Sequence, residues 1–338
     1  MTSTKTEPAE IVDEPQGESN RIITFLKAQL QQSLAFATLI ALVVFFSLAS
    51  PSFLTWSNVS TILLATAVIG ILAIGTTFVI ITAGIDLSIG TGMALCAVVT
   101  GVVTVNLGMP VVIGILAGIA TGGLIGLING LNVTVLRLPP FIATLAMMMA
   151  AGGLALVVSQ VKPIYFSGVA PNFKNVALGK LIPELPNAVL IFFVLAFISY
   201  LLLNKTILGR MTYAIGSNEE ATRLSGINTK RWLTTVYVLG GIFTGIAGVV
   251  MAARLDSAQP QIGMGYELQA IAAVIIGGTS LMGGRGTILG TVIGALIMSV
   301  LINGLRIMSI QPEWQNVVLG IVIVIAVFTD SLRRRKEA

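Results

Sequence analysis

Ten apolar runs, separated by short polar or glycine-rich stretches, account for most of the chain. They lie near residues 34–50, 58–82, 88–106, 110–136, 141–160, 187–203, 232–253, 266–282, 287–305 and 313–329. Several exceed the roughly 18 apolar residues that a helix needs to cross a bilayer. The runs are continuously apolar, whereas a transmembrane β-barrel alternates apolar and polar positions over segments of about ten residues. The pattern therefore predicts an all-α, polytopic membrane protein with about ten transmembrane helices. Two interruptions, at 83–90 and 283–286, are glycine-rich turns and not loops of ordinary length.

Composition agrees with this class. Of 338 residues, 55% are hydrophobic and 10% charged, with a mean hydropathy of +0.96; soluble domains carry about 25% charged residues. Histidine is absent and the lone cysteine, Cys96, lies inside an apolar run, so no intrachain disulfide forms and the commonest metal ligand and proton switch is missing. The net charge of +5 comes from basic residues beside the apolar runs, which argues against nucleic acid as a partner. The expected organisation is a polar, disordered tail over 1–30, a membrane body over 31–332, and a basic terminus over 333–338 that sits beside anionic lipid. The first apolar run reads as an anchor that is kept. With the N-terminus in the cytoplasm, 14 Lys and Arg fall on the cytoplasmic side and 5 on the other, accounting for all 19. Both chain ends then face the cytoplasm.

Two local patterns stand out against the apolar background. Gly114, Gly118, Gly122, Gly126 and Gly130 recur every fourth residue in the fourth run, Gly286, Gly290 and Gly294 in the ninth, and Gly241 and Gly245 in the seventh. Such stripes let helix backbones approach closely in lipid. Second, residues 204–231 form a polar, charged insert that must lie in water. Ser217 and Glu220 have capping-box spacing. Asn218 to Ser225 suits two helical turns, with Glu219 and Glu220 at the positive end and Gly226 as the left-handed stop. A folded helix in a cytoplasmic loop points to a docking partner.

The stretch GSNEEATRLSGINTKR (216–231) resembles the coupling-helix region of the inner-membrane permeases of bacterial ABC importers. The likeness continues through ARLDSAQPQIGMGYELQAIAAVIIGGTSLMGGRGTILGTVIGALI, and upstream in ITAGIDLSIG, PPFIATLAMM and LINGLNV. From about residue 35 to 330 the chain is similar to the ribose-type permeases of monosaccharide importers. The resemblance implies that Asn218, Glu219, Glu220, Ala221, Arg223, Leu224, Gly226 and Ile227 dock on a separate ATPase subunit. It also implies a second permease protomer, identical or paralogous, and an extracytoplasmic sugar-binding protein. The chain has no G-x-x-x-x-G-K-[ST] phosphate loop, so ATP is expected to be hydrolysed by the partner. No cofactor, metal or catalytic residue is expected here.

Polar groups at membrane depth are the remaining candidates. Asp86 reads either as part of a helix break near the cytoplasmic surface, with Asp86 or Ser88 capping the third span, or as a gate where two half-helices meet. Asn129, Asn132 and Asn303 either bond to neighbouring helices or line a sugar path. Arg254 and Asp256 form either a surface pair or, with Gln259, a contact for the binding protein; Glu267 lies near the outer end of the eighth run. Two other readings stand beside the sugar permease: an ABC permease for a non-sugar solute such as a nucleoside, a furanosyl signal or a branched-chain amino acid, and a stand-alone secondary transporter.

Overall fold

The computed structural model describes residues 16–335, with side chains over 33–328. All ten apolar runs form helices, but they are not ten equal spans. Among the described residues, seven helices are long and apolar enough to cross a membrane: α2 (Trp56–Ile81), α3 (Ile89–Gly101, continued by a π-helical turn over Val102–Asn106), α4 (Val111–Thr134), α5 (Pro140–Ser159), α7 (Asn187–Lys205), α10 (Thr229–Leu255) and α12 (Ile288–Ile307). Three more apolar stretches are shorter: Ser33–Ala49 within α1 (Gln16–Ala49), α11 (Tyr266–Ile276), and Pro312–Phe328 within α13 (Pro312–Arg335). Small helices α6 (Asn175–Leu178), α8 (Ile207–Ser217) and α9 (Glu219–Leu224) complete the set.

Two expectations change. The stretch read as a tail over 1–30 is helical from Gln16 onward, because α1 continues back from the apolar run; residues 1–15 lie outside the described part. The eighth run, read as a span over 266–282, is helical only to Ile276. Eleven residues rise about 16 Å, half a bilayer. Its extension fails because Gly277 and Gly278 open a non-helical stretch that lasts until Thr287.

The helices pack around α2 and α10, which with α12 are the most enclosed spans, while α4, α5 and α7 keep more of their surface exposed. The tightest contact is the seam between α4 and α10. A Cβ added at Gly122 would run into the carbonyl oxygen of Gly241, and one at Gly126 into that of Tyr237. Gly114 and Gly118 give the same room to Thr104 and Thr100 on the third span, and Gly130 to Thr234. The five-glycine stripe thus faces protein along its length. In the ninth run the stripe is shorter than expected. Gly290 and Gly294 admit the backbone of α11 at Gly277 and Ala273, whereas Gly286 lies in the loop before α12. Hydroxyl and amide pairs add to the packing, with Thr77 and Thr291 at 2.7 Å, Thr134 and Thr234 at 3.0 Å, and Asn303 donating to Asn58 at 2.9 Å.

At the end of the bundle remote from α8 and α9, the strands Ile164–Tyr165 (β1) and Ser257–Ala258 (β2) pair antiparallel and tie the long 161–186 connection to the end of α10. Phe166 and Phe173 stack beneath it with ring centroids 4.0 Å apart.

The seam makes a direct prediction. Gly122→Ala inserts a methyl group against a backbone carbonyl and should destabilise the protein by about 1–3 kcal/mol, as overpacking does. Gly153→Ala, at a position with nothing within 4 Å, should be neutral. Apparent unfolding midpoints of the two variants in one detergent check this; equal midpoints would show that the seam yields.

Candidate functional site

The polar insert folds into two helices joined without a linker. The sequence placed a Ser217–Glu220 capping box at the start of the second, but Ser217 ends α8 instead. Asn218, extended at φ −161°, is the cap, its Oδ1 accepting from the Ala221 N–H at 2.8 Å. Asn218 wins because it stands one residue nearer the first turn with an oxygen of the right reach. The helix covers Glu219–Leu224, shorter at both ends than the expected 218–225, and Gly226 follows it at φ +83°, left-handed as anticipated.

Seven of the eight residues named for docking are exposed: Asn218, Glu219, Glu220, Ala221, Arg223, Leu224 and Gly226; Ile227 is half-buried. Leu224, 77% exposed, offers an apolar side chain in a polar surround. Glu220 and Arg223 pair at 2.6 Å on the open face, an exposed ion pair that adds little stability on its own. Thr222 alone in this helix is buried. Glu219 accepts from the Thr229 hydroxyl at 3.2 Å, which ties α9 to the start of α10.

A second cluster lies in the break between α2 and α3. Asp86 is 2% exposed. Its Oδ1 accepts from the Ser88 N–H at 2.8 Å and from the Ser88 hydroxyl at 2.6 Å. Asn129, reaching from α4, donates to Ser88 Oγ at 2.8 Å and lies 3.4 and 3.5 Å from the two carboxylate oxygens. Neither Asp86 nor Ser88 caps α3 through its side chain, as the sequence suggested; they bind each other and α4 instead. Tyr237 of α10 brings its hydroxyl against Gly84, where a Cβ would stand 2.8 Å away. The other polar candidates do not join this group. Asn132 is half-buried on the adjoining turn of α4, and Asn303 is occupied by Asn58 at the opposite end of the bundle.

The structure adds a residue that sequence reading misplaced. Glu267 opens the half-length helix α11, both carboxylate oxygens accepting from the Gly265 N–H at 3.1 and 3.2 Å. Its carboxylate lies over Gly90, where a Cβ would collide with it, and Gly90 also meets the carbonyl of Gly263. Depth follows from the neighbours: a Cβ at Gly92 would stand 3.3 Å from Thr244, close to the middle of the 27-residue α10. The chain after Gln259 therefore descends into the bundle, and the N-termini of α3 and α11 meet at the level of the middle of α10. Two helix starts supply positive dipole ends to one carboxylate, and among the described residues no cation pairs with it. The available signal was Pro260, Gly263 and Gly265 ahead of the run with two glycine doublets behind it, which together leave room for only half a span.

At the far end, Arg254 and Asp256 do not form the surface pair considered above. Arg254 donates to the Leu64 carbonyl at 3.4 Å, while Asp256, at φ +52°, closes α10 and accepts through its backbone from Phe166. Gln259 Nε2 donates to Ser257 at 3.3 Å.

A bundle of seven long apolar helices, with the half-length helix α11 entering it and a polar arm at one end, is the architecture of a multi-pass membrane protein. The model of the branched-chain amino acid transport system / permease component family matches residues 58–327, and the chain belongs to that family. It is 43% identical over 304 residues to the ribose import permease protein of Bacillus subtilis, covering 90% of this chain and 92% of that one. To the D-allose transport system permease protein of Escherichia coli it is 38% identical over 297 residues, 88% and 90% of the two chains. To the fructose import permease protein of Rhizobium meliloti it is 35% identical over 306 residues, 88% and 84%. The chain is a permease and not an enzyme.

The Asp86 cluster is testable by stability. Asp86→Ala leaves the buried N–H and hydroxyl of Ser88 without their acceptor, while Asn129 keeps its bond to Ser88 Oγ, at about 1–3 kcal/mol for each unpaired group. Asp86→Asn keeps one acceptor oxygen and should lower the unfolding midpoint less. The reverse order would show that burial of the carboxylate, not its hydrogen bonds, sets the balance.

Proposed function

We propose that this chain is the permease subunit of an ABC importer for a monosaccharide of the pentose or hexose class, working by alternating access in the bacterial inner membrane. The observation that carries the reading is the exposed, capped helix α9 held between two spans, in a chain similar over nine tenths of its length to permeases for ribose and allose. The outer face of α9, from Asn218 to Ile227, docks on a separate subunit that hydrolyses ATP. The arm side is cytoplasmic, as are both chain ends, in keeping with the distribution of Lys and Arg. A second permease protomer completes the path, and an extracytoplasmic binding protein delivers sugar to the end that carries Arg254, Asp256 and Gln259.

Glu267 is the part of the path this chain supplies at mid-membrane. A carboxylate at that depth cannot face lipid, and half-buried as it is, it faces a polar passage. Carboxylate oxygens accept from sugar hydroxyls without requiring a charged solute. Asp86 and Asn129, enclosed and joined through Ser88, shape the neighbouring break, while Asn303 holds α12 to α2.

The test is uptake of D-ribose, D-fructose and D-allose into liposomes holding this chain with its ATPase subunit, each sugar supplied on its binding protein. ATP-dependent uptake of one of them supports the reading. Failure of any ATPase subunit to co-purify, or ATP-dependent uptake only of branched-chain amino acids, would sink it. Glu220→Lys, which reverses one docking charge on an exposed helix, should abolish uptake at normal membrane abundance. Glu267→Gln keeps an acceptor for the Gly265 N–H but weakens bonds from the sugar. A loss of about 1.4 kcal/mol corresponds to about tenfold slower uptake, with the amount of folded protein unchanged.

A further inference from the structure

Where the end of α8 meets the membrane body, backbone atoms touch directly. Gly216, next to last in α8, has no room for a side chain: a Cβ would run into the carbonyl oxygen of Ile81, the last residue of α2, and would stand 2.6 Å from the Gly284 nitrogen. Gly284 N–H donates to that same Ile81 carbonyl at 2.8 Å. A Cβ on Gly283 would stand 2.8 Å from the Gly216 carbonyl and 2.9 Å from the Ala83 nitrogen. One turn earlier in α8, Tyr213 donates its hydroxyl to the Gly286 carbonyl at 2.7 Å. Three strands of backbone therefore meet: the end of the arm, the 82–88 break and the 277–287 break. Ala83, Gly283 and Gly284 adopt positive φ of 61°, 85° and 75° to permit it.

We infer that this junction is the relay by which displacement of α9 reaches both helix breaks, with Gly216 and Tyr213 as its positioning residues. The inference rests on the importer reading above. No linker separates Ser217 from the Asn218 cap, so α9 cannot move far without moving Gly216. The Gly284 N–H bond to the Ile81 carbonyl and the lack of room for even a Cβ at Gly216 and Gly283 leave no slack between the three segments. The 82–88 segment leads through Asp86 to the mid-membrane start of α3, and the 277–287 segment joins α11, which carries Glu267, to α12. A push at α9 thus arrives at α3 and at α11, whose starts meet in the middle of the bundle. Proximity alone does not establish coupling; a change at one end that depends on the junction does.

The experiment is amide hydrogen exchange of peptides covering 82–88 and 277–287 in the complete complex with its ATPase subunits, without nucleotide and after trapping with ATP and vanadate. Trapping should alter exchange in both segments of the wild-type protein. Tyr213→Phe, which deletes one hydrogen bond and no volume, should cut the change in 277–287 by about half or more, with ATPase subunits still bound. Gly216→Ala should remove most of the change in both segments and lower ATP-dependent uptake about tenfold. If Gly216→Ala fails to assemble, Tyr213→Phe decides. A trapping response in both variants equal to that of the wild type overturns the relay and leaves the importer reading intact. Failure of the wild-type complex to form at all overturns the importer reading, and the relay with it.

Discussion

Everything in this bundle depends on the absence of a hydrophobic force between its helices. Lipid tails are as apolar as leucine, so helices hold together only where atoms come close enough for dispersion and weak polar contacts to add up. The seam of α4 and α10 satisfies that demand most fully. Glycine on both sides brings carbonyl oxygens against Cα atoms, at Gly122 with Gly241 and at Gly126 with Tyr237. With that seam fixed, α10 becomes a rigid post against which α2 and α3 pack, and the remaining spans enclose them.

A second constraint shapes the interior. Backbone that leaves helical geometry inside a membrane must find other hydrogen-bond partners. The two breaks meet it in part by serving each other: Ile81 accepts from Gly284, and Tyr213 from the arm donates to Gly286. The first break also draws on side chains, with Asp86 accepting from its own strand and Asn129 reaching across from α4. Irregular backbone survives there because it is enclosed by protein, and it leaves two helix N-termini pointing at a carboxylate in mid-membrane.

The sequence revealed what depends on long-range averages of hydropathy and on local chemistry. The apolar runs placed the ten apolar helices, the four-residue glycine period marked the face of α4 that packs, and Gly226 marked the end of α9. The identity of the cap was lost because Ser217 and Asn218 both offer an oxygen, and only the path of the chain out of α8 decides between them. The half-length of α11 was lost because hydropathy averages over residues 277–287 do not separate a helix from a buried loop. The meeting of Glu267 with Gly90 joins residues far apart in the chain and follows from packing alone, which no local pattern reports. The two breaks share Gly, Leu and Gly at matching offsets, yet that likeness says nothing of their contact.

The arm divides its labour in a way that bears on how such proteins diversify. Its attachment to the membrane body uses main-chain contacts at glycines together with a few inward side chains such as Tyr213 and Glu219, while its open face consists of side chains, Glu220, Arg223 and Leu224 among them, that support little else in the fold. Those outer positions are free to vary without disturbing the body that holds them. With α9 docking the ATPase as proposed, exchange of ATPase partners between related systems would require the rewriting of one short helical face, so that one membrane body could be fitted to different motors.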